Sequence, residues 1–217
     1  MSVGTGAPEK KETLSGKSEL WYILDAEPNS WIAYGVKVGV TKDIIKEKLL
    51  SGELSELLNI IPVKRGDVFY IPEGQLHCLG GGITLAEIQE SCDITYRLYD
   101  FKRKDKDGKL RPLNIEEGLS ALTLRTESEI EKLRFEKGYS ENCICKSRAF
   151  TVNKLSVKKR ETLYFKVHTA LVCVEGEGAL YYEGTSLPLR KGSTLFIPHG
   201  TKEVTVEGNL TLLSATA

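Results

Sequence analysis

The chain has 217 residues, 41% of them hydrophobic and 28% charged, and its 30 basic side chains are balanced by 30 acidic ones for a formal net charge of zero. That length can bury a core as one large all-β domain or two small ones. Balanced, dispersed charge supplies no field to attract nucleic acid or anionic lipid, and no apolar run reaches the roughly 18 residues that suggest a membrane span, so neither nucleic acid nor membrane is an expected partner.

The segment Met1 to Lys17 has no hydrophobic middle of the kind a secretion leader needs. Cys78, Cys92, Cys143, Cys145 and Cys173 are odd in number, with C-x-C as the tightest spacing, so they read as reduced thiols that mostly fill core. The expectation is a cytoplasmic protein. Any imidazole chemistry must come from His77, His168 or His199, the three histidines of the chain.

Residues 1–16 carry Gly4, Gly6, Pro8 and a Glu-Lys-Lys-Glu run without periodicity, which predicts a flexible arm. Leu20 to Leu24, the turn Asp25 to Asn29 and Trp31 to Val38 predict a hairpin. From Thr41 the apolar spacing becomes helical, with Thr41 as N-cap and Gly52 as breaker, predicting two short helices in an insertion over 41–60. Asp67 to Pro72, Gln75 to Leu79, Ile83 to Ile88 and Thr95 to Phe101 return to strand patterns. Lys102 to Arg111 is a charged hairpin around Asp107-Gly108, whose interleaved acids favour a solvated turn over a phosphate patch. Asn114 to Leu122 and Glu127 to Leu133 read as short helices, and from Cys145 strands recur between Gly-containing turns as in a small barrel or sandwich. The resulting divisions are a first β domain over 17–101, a connector over 102–144 and a second β domain over 145–217.

A repeat ties the two β domains together. Gly66-Asp67-Val68-Phe69-Tyr70-Ile71-Pro72-Glu73-Gly74-Gln75-Leu76-His77 and Gly192-Ser193-Thr194-Leu195-Phe196-Ile197-Pro198-His199-Gly200-Thr201-Lys202-Glu203 share one glycine-proline-glycine frame around an apolar strand, with Glu203 in the place of His77. The frame resembles the second motif of the cupin superfamily, whose histidine at that place ligates a metal. This resemblance implies a mainly β fold of two cupin-type (jelly-roll) barrels with a few short helices, the second barrel degenerate. An isolated histidine would read as packed core; His168, outside the frame, reads as a core or surface histidine, and His199, at the turn tip before Gly200, reads as solvent-exposed.

A closer resemblance covers the chain from about Lys17 to the end. Gly16-Lys17-Ser18-Glu19-Leu20-Trp21-Tyr22-Ile23-Leu24-Asp25-Ala26-Glu27-Pro28, Tyr70 to His77, and Leu85-Ala86-Glu87-Ile88-Gln89-Glu90-Ser91-Cys92-Asp93-Ile94-Thr95-Tyr96-Arg97-Leu98-Tyr99-Asp100 resemble successive motifs of the type I mannose-6-phosphate isomerases in their short bacterial form. Leu171 to Gly178 and Leu195 to Pro198 are similar to that family's second cupin.

The resemblance implies interconversion of mannose 6-phosphate and fructose 6-phosphate at a zinc, or another divalent metal, held by glutamine, histidine, glutamate and a second histidine. Glu19 matches the glutamate and His77 the later histidine. The Gln-x-His pair expected upstream is lacking, and Gln75, two residues before His77 on a strand, is the candidate replacement. Such a zinc polarises an oxygen without redox chemistry. By the same resemblance Arg97 stabilises developing negative charge, Glu87 and Asp93 share its motif, and Lys17 borders Glu19. On the residues alone, Glu87 also reads as a strand partner, Asp93 as a turn cap and Lys17 as a solvated charge. The alternative function is a noncatalytic sugar-phosphate-binding cupin; self-association stays open, as does completion by a further segment or chain.

Overall fold

The computed structural model describes residues 2–4, 17–101, 103–135 and 142–217. The fold is mainly β with three short α-helices among the described residues, and it divides into two units, Met1–Leu133 and Arg134–Ala217. No described helix is long and apolar enough to cross a membrane.

The first unit contains β1 (Ser2–Gly4), β2 (Glu19–Ala26), β3 (Trp31–Val36), β4 (Leu58–Pro62), β5 (Val68–Ile71), β6 (Leu76–Leu79), β7 (Ile83–Gln89) and β8 (Thr95–Arg97). One sheet runs β4-β3-β6-β1-β8 and a second runs β5-β2-β7. The hairpin expected between Leu20–Leu24 and Trp31–Val38 does not pair. Instead β2 lies between β5 and β7, while β3 lies between β4 and β6. The first five residues of β2 are all buried, as in a strand covered on both faces, so it takes the centre of a sheet and cannot sit at the edge of a two-stranded ribbon. The reversal at Asn29, φ 66°, is anchored instead to the glycine turn ahead of β7, because the Ser30 hydroxyl donates to the carbonyls of Gly81 and Gly82.

Of the segment 1–16 expected as a flexible arm, Ser2–Gly4 is a strand. It runs antiparallel between β6 and β8, with Ser2 opposite both His77 and Arg97. Its backbone satisfies strand edges that would otherwise lack partners. The rest of that segment, 5–16, lies outside the described residues.

Helix α1 (Lys42–Ser51) starts where the Thr41 hydroxyl accepts the Ile44 N–H at 3.3 Å and ends at Gly52, whose φ of 78° is the left-handed conformation of a helix stop. A single 3₁₀ turn, Leu54–Leu57, follows, and Leu58 already opens β4, so the helical insertion is shorter than expected. Ile45 and Leu49 of α1 pack with Leu54, Leu58, Leu76, Leu98, Leu119 and Leu122 into one apolar core. There α2 (Ile115–Ala121) lies close on Leu98: a Cβ on Gly118 would stand 2.7 Å from its Cδ2. β8 stops at Arg97, short of the expected Phe101, because the chain turns at Asp100, whose carbonyl accepts the Arg103 N–H, and at Phe101, φ 53°.

The second unit contains β9 (Cys143–Lys146), β10 (Thr151–Tyr164), β11 (Thr169–Tyr182), β12 (Thr185–Arg190), β13 (Thr194–Ile197) and β14 (Glu203–Thr216). Their order is β12-β11-β14-β10-β9, with β13 also on β11. Leu171, Cys173, Leu180, Val206, Leu210 and Leu212 form its core. The stretch 102–144 is divided between the units. Its helices α2 and most of α3 (Glu127–Arg134) group with the first, and β9 opens the second.

Candidate active site

Two sheets of the first unit bring an acidic, a basic and an imidazole side chain together. Glu19 begins β2 opposite Gln89 of β7, and Trp21 stands opposite Glu87. Alternation puts Glu19, Trp21, Glu87 and Gln89 on one face of their sheet. The Glu19 side chain is only 4% exposed, yet it is ionically partnered: Lys17 Nζ lies 2.8 Å from its Oε1 and 3.7 Å from Glu87 Oε1. A carboxylate so buried is tolerated because the ammonium accompanies it.

His77 enters from the other sheet, on β6, and is 3% exposed. The Trp21 ring meets its imidazole edge-on at 5.4 Å. His77 Nδ1 lies 2.9 Å from the Gln75 carbonyl oxygen. A carbonyl can only accept, so Nδ1 carries the proton and Nε2 of the neutral ring keeps its lone pair. That lone pair faces Glu19 Oε2 at 3.7 Å. Two acceptors confronting one another across such a gap leave room for a donor between them, a proton or a substrate hydroxyl. Burial pushes the His77 imidazole below its ordinary pKa, against the upward pull of Glu19. Burial, reinforced by the Glu19 charge, holds Glu87 above the usual carboxylate value, with Lys17 opposing.

Arg97 stands two strands from His77. Because Ser2 is opposite both, their side chains leave the sheet on the same face, about 10 Å apart at the backbone. The guanidinium lies with Nε 4.0 Å from Asp100 Oδ1 and donates from Nη1 to the Pro112 carbonyl at 3.5 Å. Asp93 is exposed on the connection between β7 and β8. Gln75 meets His77 through its backbone; its side-chain nitrogen instead packs over Gly35, where a Cβ would stand 2.6 Å away. Thus Lys17, Glu19, His77 and Glu87 are brought together, Arg97 shares the face of His77, and Asp93 and the Gln75 amide have other surroundings. Trp21 was not among the expected site residues, although its place two after Glu19 in a strand puts it on the same face. Asp100, the last residue of the motif that holds Arg97, was not among the expected site residues, since its partners Arg103 and Arg111 belong to the turn and hairpin that follow it.

The repeat is reproduced in three dimensions. Gly66 and Gly192 have φ of 90° and 92°, and the bonds Gly66 N–H to Ile23 O and Ile23 N–H to Asp67 O recur as Gly192 to Cys173 and Cys173 to Ser193. Counting back four residues from Ile23 and Cys173, Thr169 occupies in the second unit the place of Glu19, while Glu203 occupies that of His77. Thr169 is buried and Glu203 exposed, so the second unit lacks the paired carboxylate and imidazole.

A model of the mannose-6-phosphate isomerase cupin domain matches residues 140–216. The chain is 34% identical over 205 residues to the mannose-6-phosphate isomerase of Streptococcus mutans serotype c, covering 92% of this chain and 64% of that protein. It is also 34% identical over 196 residues to the mannose-6-phosphate isomerase ManA of Bacillus subtilis, covering 89% of this chain and 62% of the relative. The crystal structure of the mannose 6-phosphate isomerase from Bacillus subtilis superposes with a TM-score of 0.86 at 28% identity, over 100% of this chain and 70% of that one. Over nearly its whole length the chain is similar to mannose-6-phosphate isomerases. Its fold is cupin-like, and it spans a little under two thirds of the length of those two curated relatives. The family's match over 140–216 falls on the unit without the carboxylate and imidazole pair, whereas the identity to whole isomerases extends over both units.

The metal that the sequence resemblance implies makes the donor set here a direct question. Glu19 Oε2 and His77 Nε2 have the right chemistry, and the Nδ1 bond to the Gln75 carbonyl is the outer support a ligating imidazole usually has. Catalytic zinc uses three protein ligands, however, and among the described residues no third His, Cys, Asp or Glu joins these two. The other Glu19 oxygen is held by Lys17. The described donors therefore do not fit a complete metal centre.

Proposed function

We propose that this protein is an aldose-ketose isomerase interconverting mannose 6-phosphate and fructose 6-phosphate, with each unit a cupin-type barrel and the chemistry confined to the first. The observation that carries this reading is the buried Lys17–Glu19–His77 set beneath Trp21, with Glu87 beside it and Arg97 on the same face as His77. Kinship with named isomerases supports the substrate class.

The isomerisation moves a proton from C2 of the open-chain aldose to C1, and moves another from O2 to O1. Glu87 is the group suited to the carbon proton. Its raised pKa brings it closer to the working pH, where a base is most effective, and it stands beside Lys17. It takes the C2 proton to leave an enediolate and returns it at C1. His77 Nε2, unprotonated and facing the gap, takes the O2 proton and delivers it to O1. Lys17 and Arg97 supply positive charge to the enediolate oxygens while it exists. Glu19 holds Lys17 and orders the gap, and the Gln75 carbonyl fixes the His77 tautomer. Asp93 is proposed only as a contributor at the mouth, given its exposed place. A cytoplasmic location suits an enzyme of charged sugar phosphates.

A coupled assay of fructose 6-phosphate formation from mannose 6-phosphate tests the proposal. Turnover lost in both Glu87→Gln and Arg97→Ala, with the fold retained, is expected. Binding of mannose 6-phosphate without turnover in the unaltered protein would reject the isomerase in favour of a noncatalytic sugar-phosphate-binding cupin.

A further inference from the structure

A second convergence of polar groups lies past the end of β8. Asp100 is 4% exposed, and its carboxylate is gripped from two directions. Arg103 donates to Oδ1 from Nε at 3.2 Å and from Nη2 at 2.6 Å, while Arg111 donates from Nε to Oδ2 at 2.7 Å and from Nη2 to Oδ1. With Arg97 4.0 Å away, three guanidiniums surround one carboxylate and leave an excess of positive charge. The nearby acids have other commitments: Asp105 accepts the backbone N–H groups of Asp107 and Lys109, and Glu53 pairs with Lys48.

Both clamping arginines use their Nε and Nη2 atoms on Asp100, so among the described residues Nη1 of each is left for another acceptor. Their side chains are 61% and 37% exposed. They border a cavity of about 250 Å³ whose other walls include Leu50, Leu110, Leu113 and Tyr99. Leu50 and Leu110 are 75% and 61% exposed, an apolar rim with nothing apolar over it among the described residues. A concave apolar space with a few converging charged groups is the usual form of a small-molecule site. The walls are wrong for a sugar, whose hydroxyls would face leucine, and right for a compact apolar body bearing one anion.

We propose that this cavity binds a small organic anion, a carboxylate or phosphate monoester on a ring-sized apolar body, with the anion on Arg103 and Arg111 and the body against Leu50, Leu110 and Tyr99. The proposal goes beyond the isomerase reading and does not depend on it. Calorimetric titration of the full chain with benzoate, phenyl phosphate, benzyl alcohol and inorganic phosphate tests it. A ring-bearing anion is expected to bind at least about tenfold more tightly than either inorganic phosphate or the uncharged alcohol, because each of those lacks one half of the recognition; which of benzoate and phenyl phosphate is preferred identifies the anion. Arg103→Ala and Leu110→Glu are each expected to weaken that binding about tenfold or more, and mannose 6-phosphate is not expected to displace it. Leu110→Glu changes an exposed side chain outside the Asp100 clamp, so it decides the matter if Arg103→Ala unfolds. No saturation by either ring-bearing anion below about 10 mM, equal affinity for benzyl alcohol, unchanged affinity in Leu110→Glu, or displacement by mannose 6-phosphate would each overturn the proposal.

Discussion

His77→Gln gives the sharpest test of how the site is held. In the folded chain burial keeps the imidazole neutral below its ordinary pKa, whereas the unfolded chain exposes a histidine that titrates near 6.5. A basic group with a lowered folded pKa leaves stability intact above the unfolded value. Below that value stability falls, because only the unfolded state takes up the proton. Between pH 7.5 and pH 5 the linkage amounts to at most about 2 kcal/mol, since a histidine that stays neutral when folded forgoes RT ln of the unfolded protonation factor. For a unit of this size that is a fall in Tm of about 4–8 °C. Both tryptophans of the chain, Trp21 and Trp31, are in the first unit, so their fluorescence during urea or thermal unfolding reports on that unit alone. His77→Gln should be less stable at neutral pH through the lost Trp21 contact, yet its stability should decline less than the unaltered protein's as pH falls. His168 and His199 lie in the second unit, outside what the tryptophans report. Parallel pH dependences would refute the reasoning, because they would mean that Glu19 draws a proton onto folded His77.

Arg97→Lys should lower turnover by about 10²-fold or more, since an ammonium cannot reproduce the fork of donors a guanidinium offers to a developing oxyanion, with the coupled isomerase assay as readout. Leu98→Ala removes a fully buried side chain packed under α2 and should cost about 2–5 kcal/mol in urea unfolding of the first unit. Gly178→Ala would drive a Cβ into the Glu207 carbonyl of the paired strand, so the second unit should lose about 1–3 kcal/mol by calorimetry or fail to fold. Equilibrium dialysis against micromolar zinc should leave well under one ion per chain, because two donors are one short of a catalytic site. A stoichiometric ion lost in both Glu19→Gln and His77→Gln would show that a donor beyond the described residues completes the centre.

Much of the strand content was legible because turns announce themselves: the frame from Gly66 to His77 and its copy from Gly192 to Glu203 sit where the glycines require positive φ. Which strands pair was much less legible. The turn between Leu24 and Trp31 looks like a hairpin locally, yet β2 and β3 join different sheets, since burial on both faces is settled by distant neighbours and not by the turn. Ser2–Gly4 likewise has a loop composition and becomes a strand only because β6 and β8 offer it two open edges. At the site, Glu19 and His77 were readable from motifs 58 residues apart, but the gap between them and the role of Lys17 depend on how two sheets face each other. Gln75 illustrates the limit of alternation: the turn bond from its N–H to Pro72 puts it outside the strand, so counting by twos from His77 does not bring its amide to the site.

The recurrence of one turn in both units, with chemistry at only one of them, amounts to an experiment with its own control. Gly66→Ala and Gly192→Ala impose the same backbone penalty, about 1 kcal/mol at matching dihedral angles with open space around each Cβ. Whatever they share measures the cost of bending this peptide. Whatever the first does to turnover that the second does not measures how rigidly the imidazole eleven residues downstream must be aimed.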